Sequence, residues 1–151
     1  TSDIVALLVF DHQGRAMNLL TRLGWEARIA AADATLDVSS GELRDLVRET
    51  AEYLLFVDEV PLMAPVKGVS EFAATFATTG PRDQKGRSLR EFDLKTNLFR
   101  YRCSYMIYSP AFDALPATVR RAVYAEMERV LSRRGDRAVM EILDDTRKGW
   151  R

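Results

Sequence analysis

Residue types able to do chemistry are sparse in this chain, which carries one histidine and one cysteine. His12 falls on the line Val5, Leu8, His12, Leu19 and Leu23 that a helical period draws through residues 1–33, so the ring points at the core. The plainest reading is a hydrogen-bonded core imidazole, because buried polar groups find partners. Two chemical readings stand beside it. One is an axial haem or small-ligand contact with Met17 or Met106 opposite; the other is a general base titrating near neutrality. Cys103, between Arg102 and Ser104, divides the same way. Nearby guanidinium groups lower a thiol pKa and favour a nucleophile, whereas burial makes the side chain a small hydrophobe. A cofactor-free enzyme would use Cys103 or His12.

A third group is denser. Arg87, Arg90, Arg100, Tyr101, Arg102, Tyr105 and Tyr108 crowd one stretch, and Arg and Tyr are the residue types that anchor binding surfaces. The competing reading is amphipathic packing, with rings inward and polar tips outward. Asp58-Glu59 and Asp144-Asp145 are adjacent pairs, which on a helix diverge by about 100° and cannot share one substrate atom. No Glu-x-x-His, His-x-x-x-His or Cys-x-x-Cys spacing occurs, so neither a dimetal centre nor a structural zinc site is expected, and Cys-x-x-Cys-His haem attachment is missing from these residues. Neither a phosphate-cradling Gly-rich loop nor a Gly-x-Ser-x-Gly elbow is present.

The elements that must position these groups read as helices. Ile4, Val5, Leu8, Leu19, Leu23 and Ala27 predict one long helix over residues 1–33, capped by Thr1 or Ser2 and tolerating Gly14. Ser39 and Glu42 have capping-box spacing ahead of Leu43, Leu46, Val47, Thr50, Leu54 and Val57, a helix that must stop near Asp58 before Pro61. Ser70–Thr78 predicts a short helix ended by Gly80-Pro81, residues 81–88 an exposed loop, and Ser88 with Glu91 a helical turn through Phe92. Residues 98–108 suit helix or irregular structure better than a strand, which would have no partner. Pro116 starts another helix at its first turn, with Val119, Val123, Met127 and Leu131 inward and Gly135 at its end. Asp136 caps the last helix, which closes at Gly149. The expected fold is all-α: an irregular bundle of four main helices with short helices and an irregular middle, forming one domain over residues 1–151.

Composition excludes several classes. The 151 residues hold 22 basic and 22 acidic side chains, without the excess positive charge of a nucleic-acid binder. No apolar run reaches the roughly 18 to 20 residues of a membrane span. The balance hides an asymmetry: residues 1–80 carry 6 basic and 12 acidic side chains, residues 81–151 carry 16 and 10. The halves should attract each other, or present a basic face to an acidic partner. A start at Thr1 reads as a fragment or processed part of a longer protein.

The segments SDIVALLVFDHQGRAMNLLTRLGWEAR (2–28), YLLFVDEVPL (53–62) and GRSLREFDLKTNLFRYRCSYMIYSPAFDALP (86–116) resemble the C-terminal helical region of large uncharacterised bacterial proteins that look like exported c-type cytochromes. Their haem motifs lie outside this region, and Arg102 stands where they tend to have Pro before the cysteine. The resemblance implies a periplasmic, non-catalytic interaction or scaffold domain in an electron-transfer protein, with no cofactor in this chain and haem in an upstream domain or partner. The expected partner is another protein or domain, such as a c-type cytochrome, met through the Arg- and Tyr-rich segment.

Overall fold

The computed structural model describes residues 2–151 and has the expected all-α architecture. Six α-helices form: α1 (Ile4–Ala32), α2 (Gly41–Leu54), α3 (Phe72–Thr78), α4 (Pro110–Asp113), α5 (Ala117–Arg134) and α6 (Arg137–Thr146). One 3-10 turn, Tyr105–Tyr108, precedes α4. α2 packs between α1 and α5, while α6 returns along α5, and α3 and α4 rest on α1.

α1 is a single unbroken helix of 29 residues, about 43 Å long. Gly14 does not interrupt it, since it faces open space. Val5, Val9, His12, Ala16, Leu20, Leu23 and Ala27 recur at steps of three and four and bury one face. Asp3 caps the helix instead of Ser2, its Oδ1 accepting from the N–H groups of Val5 and Ala6 at 2.9 and 3.3 Å. Thr1, the alternative cap, lies outside the described residues. Ile4, expected inside, is exposed.

The second start signal fails for a chemical reason. Ser39 and Ser40 both turn their hydroxyls to Asp37, at 2.5 and 2.6 Å, so no Ser39–Glu42 capping box forms. The Ser39 N–H that Glu42 would accept in a capping box donates instead to Asp37 Oδ1 at 2.8 Å. α2 then ends at Leu54, four residues before Asp58, because Phe56 adopts φ 54° and Asp58 φ 62°. Such left-handed backbone stops a helix, and for a phenylalanine it is strained.

The middle of the chain is irregular but well fastened. Residues 81–88 form the expected loop, exposed at Pro81, Arg82, Gln84, Lys85 and Gly86 yet pinned: Asp83 is buried, its Oδ2 sits 2.6 Å from Arg87, and Arg87 and Lys85 each reach Glu141 of α6 at 2.7 Å. Ser88 and Glu91 make half of a capping box, the Ser88 N–H donating to Glu91 Oε2 at 2.7 Å. The chain then turns without becoming helical, and Phe92 forms an isolated antiparallel bridge with Phe99. Residues 98–104 are irregular, which accounts for their partial alternation in sequence. Pro116 sits just outside α5 as its cap, Gly135 closes α5 in the left-handed region at φ 69°, and Asp136 caps α6 through the Val139 N–H. α6 ends at Thr146, three residues short of Gly149.

The core joins all four main helices through Leu20, Leu54, Phe112, Val123, Leu131 and Ile142. Phe112 is fully buried, its ring 5.3 Å from that of Tyr124. Phe112→Ala is expected to cost about 3–5 kcal/mol in urea unfolding through the cavity it leaves, with no change in helical circular dichroism at pH 7.

Candidate functional site

The concavity richest in chemistry opens beside His12. It is a cleft of about 440 Å³ between α1 and the turn after α2, lined among others by Asp11, His12, Arg15, Tyr53, Phe56 and Glu59. His12 is only 6% exposed. Its ring stacks on Tyr53 at 5.3 Å, with Phe56 at 4.9 Å. Nε2 shares a hydrogen bond of 2.6 Å with the Ser104 hydroxyl. Nδ1 makes no hydrogen bond among the described residues.

Burial holds the His12 pKa down to about 4, the nearby Asp11 carboxylate opposing only in part. The imidazole is therefore neutral at physiological pH. Tyr53 is pushed up to about 12 by burial and Glu59 is raised for the same reason, with Arg102 pulling Glu59 back. The cleft thus offers an uncharged imidazole nitrogen on an aromatic floor, rimmed by carboxylates and Arg15.

The floor is built by the strained turn after α2. The Leu54 carbonyl accepts the Ser104 N–H at 2.7 Å and the Leu55 carbonyl accepts Arg134 at 2.9 Å. The Phe56 carbonyl accepts Arg102, which also donates to Asn97 at 2.9 Å. Two arginines and one backbone amide so hold Phe56 in place under His12. Sequence reasoning found His12 but missed Tyr53, Phe56 and Ser104. No local pattern marks a phenylalanine that will adopt positive φ, or a serine that will meet a histidine 92 residues away.

The other candidates are placed differently. Met17 lies five residues from His12, about 140° around α1, and is exposed, whereas Met106 is buried beyond Ser104. Neither lines the cleft, so the structure does not assemble the expected His–Met pair around it. Cys103 is fully buried, and burial pushes its thiol pKa up despite Arg134. It stays protonated and faces neither the cleft nor His12. Among the described residues no group of three or more His, Cys, Asp or Glu side chains gathers to hold a metal ion, and no helix is long and apolar enough to cross a membrane.

Most of the expected interaction surface is turned inward. Arg87 is tied to Asp83 and Glu141, and Arg90 lies over the rings of Phe76 and Tyr105 at 4.5 and 4.9 Å. Arg102 holds the turn after α2, Tyr105 donates to Gln13 at 2.9 Å, and Tyr108 shares a 2.6 Å bond with Thr146. Only Arg100 is exposed, stacked 5.4 Å over the half-buried Tyr101. The amphipathic reading describes this segment better, because most of the polar tips find a partner on a neighbouring element.

Exposed apolar side chains lie instead on α1 and on the segment after α2, where Val60 and Met63 face solvent. Leu7, Phe10, Met17, Trp25 and Ile29 face solvent, Phe10 at 67% and Trp25 at 64% exposure. Leu7, Trp25 and Ile29 lie on the side of the helix away from Val5, His12 and Leu20, with Phe10 and Met17 on its flank. Val69 lies near its start, where Ser70 donates to the Asp3 carboxylate. Comparison with protein-family models, with curated proteins and with solved structures finds no match to this chain.

His12 makes stability depend on pH in a defined window. Its folded pKa, about 4, lies below the ordinary 6.5, so on acidification the unfolded chain takes the proton first. The stability from neutral His12 is complete above about pH 6.5 and drains as pH falls towards 4, by at most about 3 kcal/mol. Glu59 works the other way, since its raised pKa lets the folded state take its proton first. Asp37 and Glu141, held down to about 2, lose their share only as pH falls below their ordinary 3.8 and 4.5. Urea unfolding is expected to weaken between pH 7 and 5 in the parent chain and to do so less in His12→Gln. Equal slopes would remove His12 as the cause.

Proposed function

We propose that this chain is a non-catalytic protein-interaction or scaffold domain. One observation carries the reading: besides the apolar face it buries in the core, α1 exposes Ile4, Leu7 and Phe10 near its start and Trp25 and Ile29 near its end, with Met17 between them. Clusters of large exposed apolar side chains on a folded domain mark a surface that another protein covers. The surface lies on α1 rather than on residues 81–108. The sequence resemblance adds the setting to the proposal: a periplasmic electron-transfer protein whose haem sits in a c-type cytochrome domain or partner.

A photo-cross-linking residue at Phe10 or Trp25, introduced in cells that make the complete gene product, is expected to give a discrete protein adduct that the same residue at exposed Arg133 does not give. Haem staining of the adduct supports the cytochrome setting, and its absence removes that setting. No adduct specific to α1 would overturn the interaction reading.

A second reading rests on the cleft. A neutral His12 imidazole beside Tyr53 and Phe56 suits a small planar ligand or haem. Added haem is then expected to shift its Soret band with the parent chain and not with His12→Ala; no shift with either removes haem as the ligand.

A further inference from the structure

We infer that the occupant of the outer face of α1 is a second copy of this chain, lying antiparallel along it. The inference rests on α1 being an interaction face and adds the partner and the register.

From Ile4 through Leu7, Asp11, Gly14 and Asn18 to Trp25, exposed positions recur on one line at steps built from three and four. That is the spacing at which two helices meet along a seam. The seam is apolar at both ends and polar or small at its centre, so its two ends are alike and reversing the partner helix brings like surfaces together. With a two-fold axis between residues 16 and 17, Ile4 lies level with Ile29 of the second copy and Leu7 comes within one residue of level with Trp25. In the same register Asp11 comes opposite Arg22. Each of these pairs occurs twice by symmetry.

Charge selects this arrangement. Asp11 and Arg22 are exposed and belong to none of the ion pairs among the described residues. A parallel pairing would set Asp11 beside Asp11 and Arg22 beside Arg22, like against like, whereas the antiparallel one pairs opposite charges. Steric detail agrees. Gly14 lies near the axis with nothing within 4 Å of where a Cβ would be, so two backbones can approach closely there. Arg28, on the flank of the seam, is folded back onto the Ala114 carbonyl at 3.1 Å and leaves that edge clear.

Light scattering across a concentration series is expected to show the 17.1 kDa chain reaching twice its mass. Leu7→Glu combined with Trp25→Glu is expected to give a monomer with unchanged circular dichroism, since both side chains are exposed. Asp11→Arg or Arg22→Asp alone should weaken the dimer about tenfold or more, and the two together should restore it. A monomer at every concentration up to about millimolar overturns the inference. So does a dimer that survives the Leu7 and Trp25 changes, or charge variants that do not rescue each other. A monomeric chain whose α1 still cross-links to a different protein would end self-association and leave the interaction reading standing; with no adduct either, both fall.

Discussion

The arrangement depends on how the chain satisfies the carbonyl groups at the end of α2. A helix leaves its last carbonyls without intrahelical partners, and burying them unpaired is costly. Here the Leu54, Leu55 and Phe56 carbonyls lie in the interior and receive the Ser104 amide, the Arg134 guanidinium and the Arg102 guanidinium. Those donors come from two places in the second half of the chain, the segment at residues 102–104 and the end of α5. In meeting that need they anchor the irregular segment before the 3-10 turn, fix α5 against α2, and hold Phe56 in a backbone conformation it would not adopt alone. The position of Ser104 beside His12 follows directly.

The charge asymmetry between the two halves therefore has a partly internal use. Arg102 and Arg134 are basic groups of the second half spent on carbonyls of the first, and Arg102 also lies 3.5 Å from Glu59. Arg87 is spent nearer home, on Asp83 and Glu141. A planar fork with several donors suits such work better than an ammonium group does. Composition marks the excess of arginine but not its destination, because each of these contacts is decided by tertiary placement.

The same distinction separates what was legible in the sequence from what was not. Periodicity located α1, α2, α5 and α6 because their core faces repeat at the helical step over many residues, as with Val119, Val123, Met127 and Leu131. Gly135 and Asp136 marked their boundary correctly, since both act through local backbone geometry. The Ser39 signal misled because Asp37 lies within reach of the same N–H and hydroxyl. His12 was legible as inward-facing, but its partner, its ring stack and the cleft beside it come from residues 41 to 92 positions away. The exposed apolar side chains of α1 stayed hidden for a different reason. A helix apolar on two sides has a weak net direction, and its buried face alone accounts for the pattern that periodicity detects.

The long reach of the arginine contacts also bears on how the molecule is assembled in time. Leu55 and Arg134 are 79 residues apart along the chain, and Phe56 and Arg102 are 46 apart. During synthesis α1 and α2 emerge well before either guanidinium does, so these carbonyls have no arginine partner until the second half is made. Local contacts form quickly and distant ones wait on chain closure. The strained bend at Phe56 should then be among the last parts to set, and the His12 cleft, whose floor it forms, belongs to the finished molecule and to no earlier intermediate.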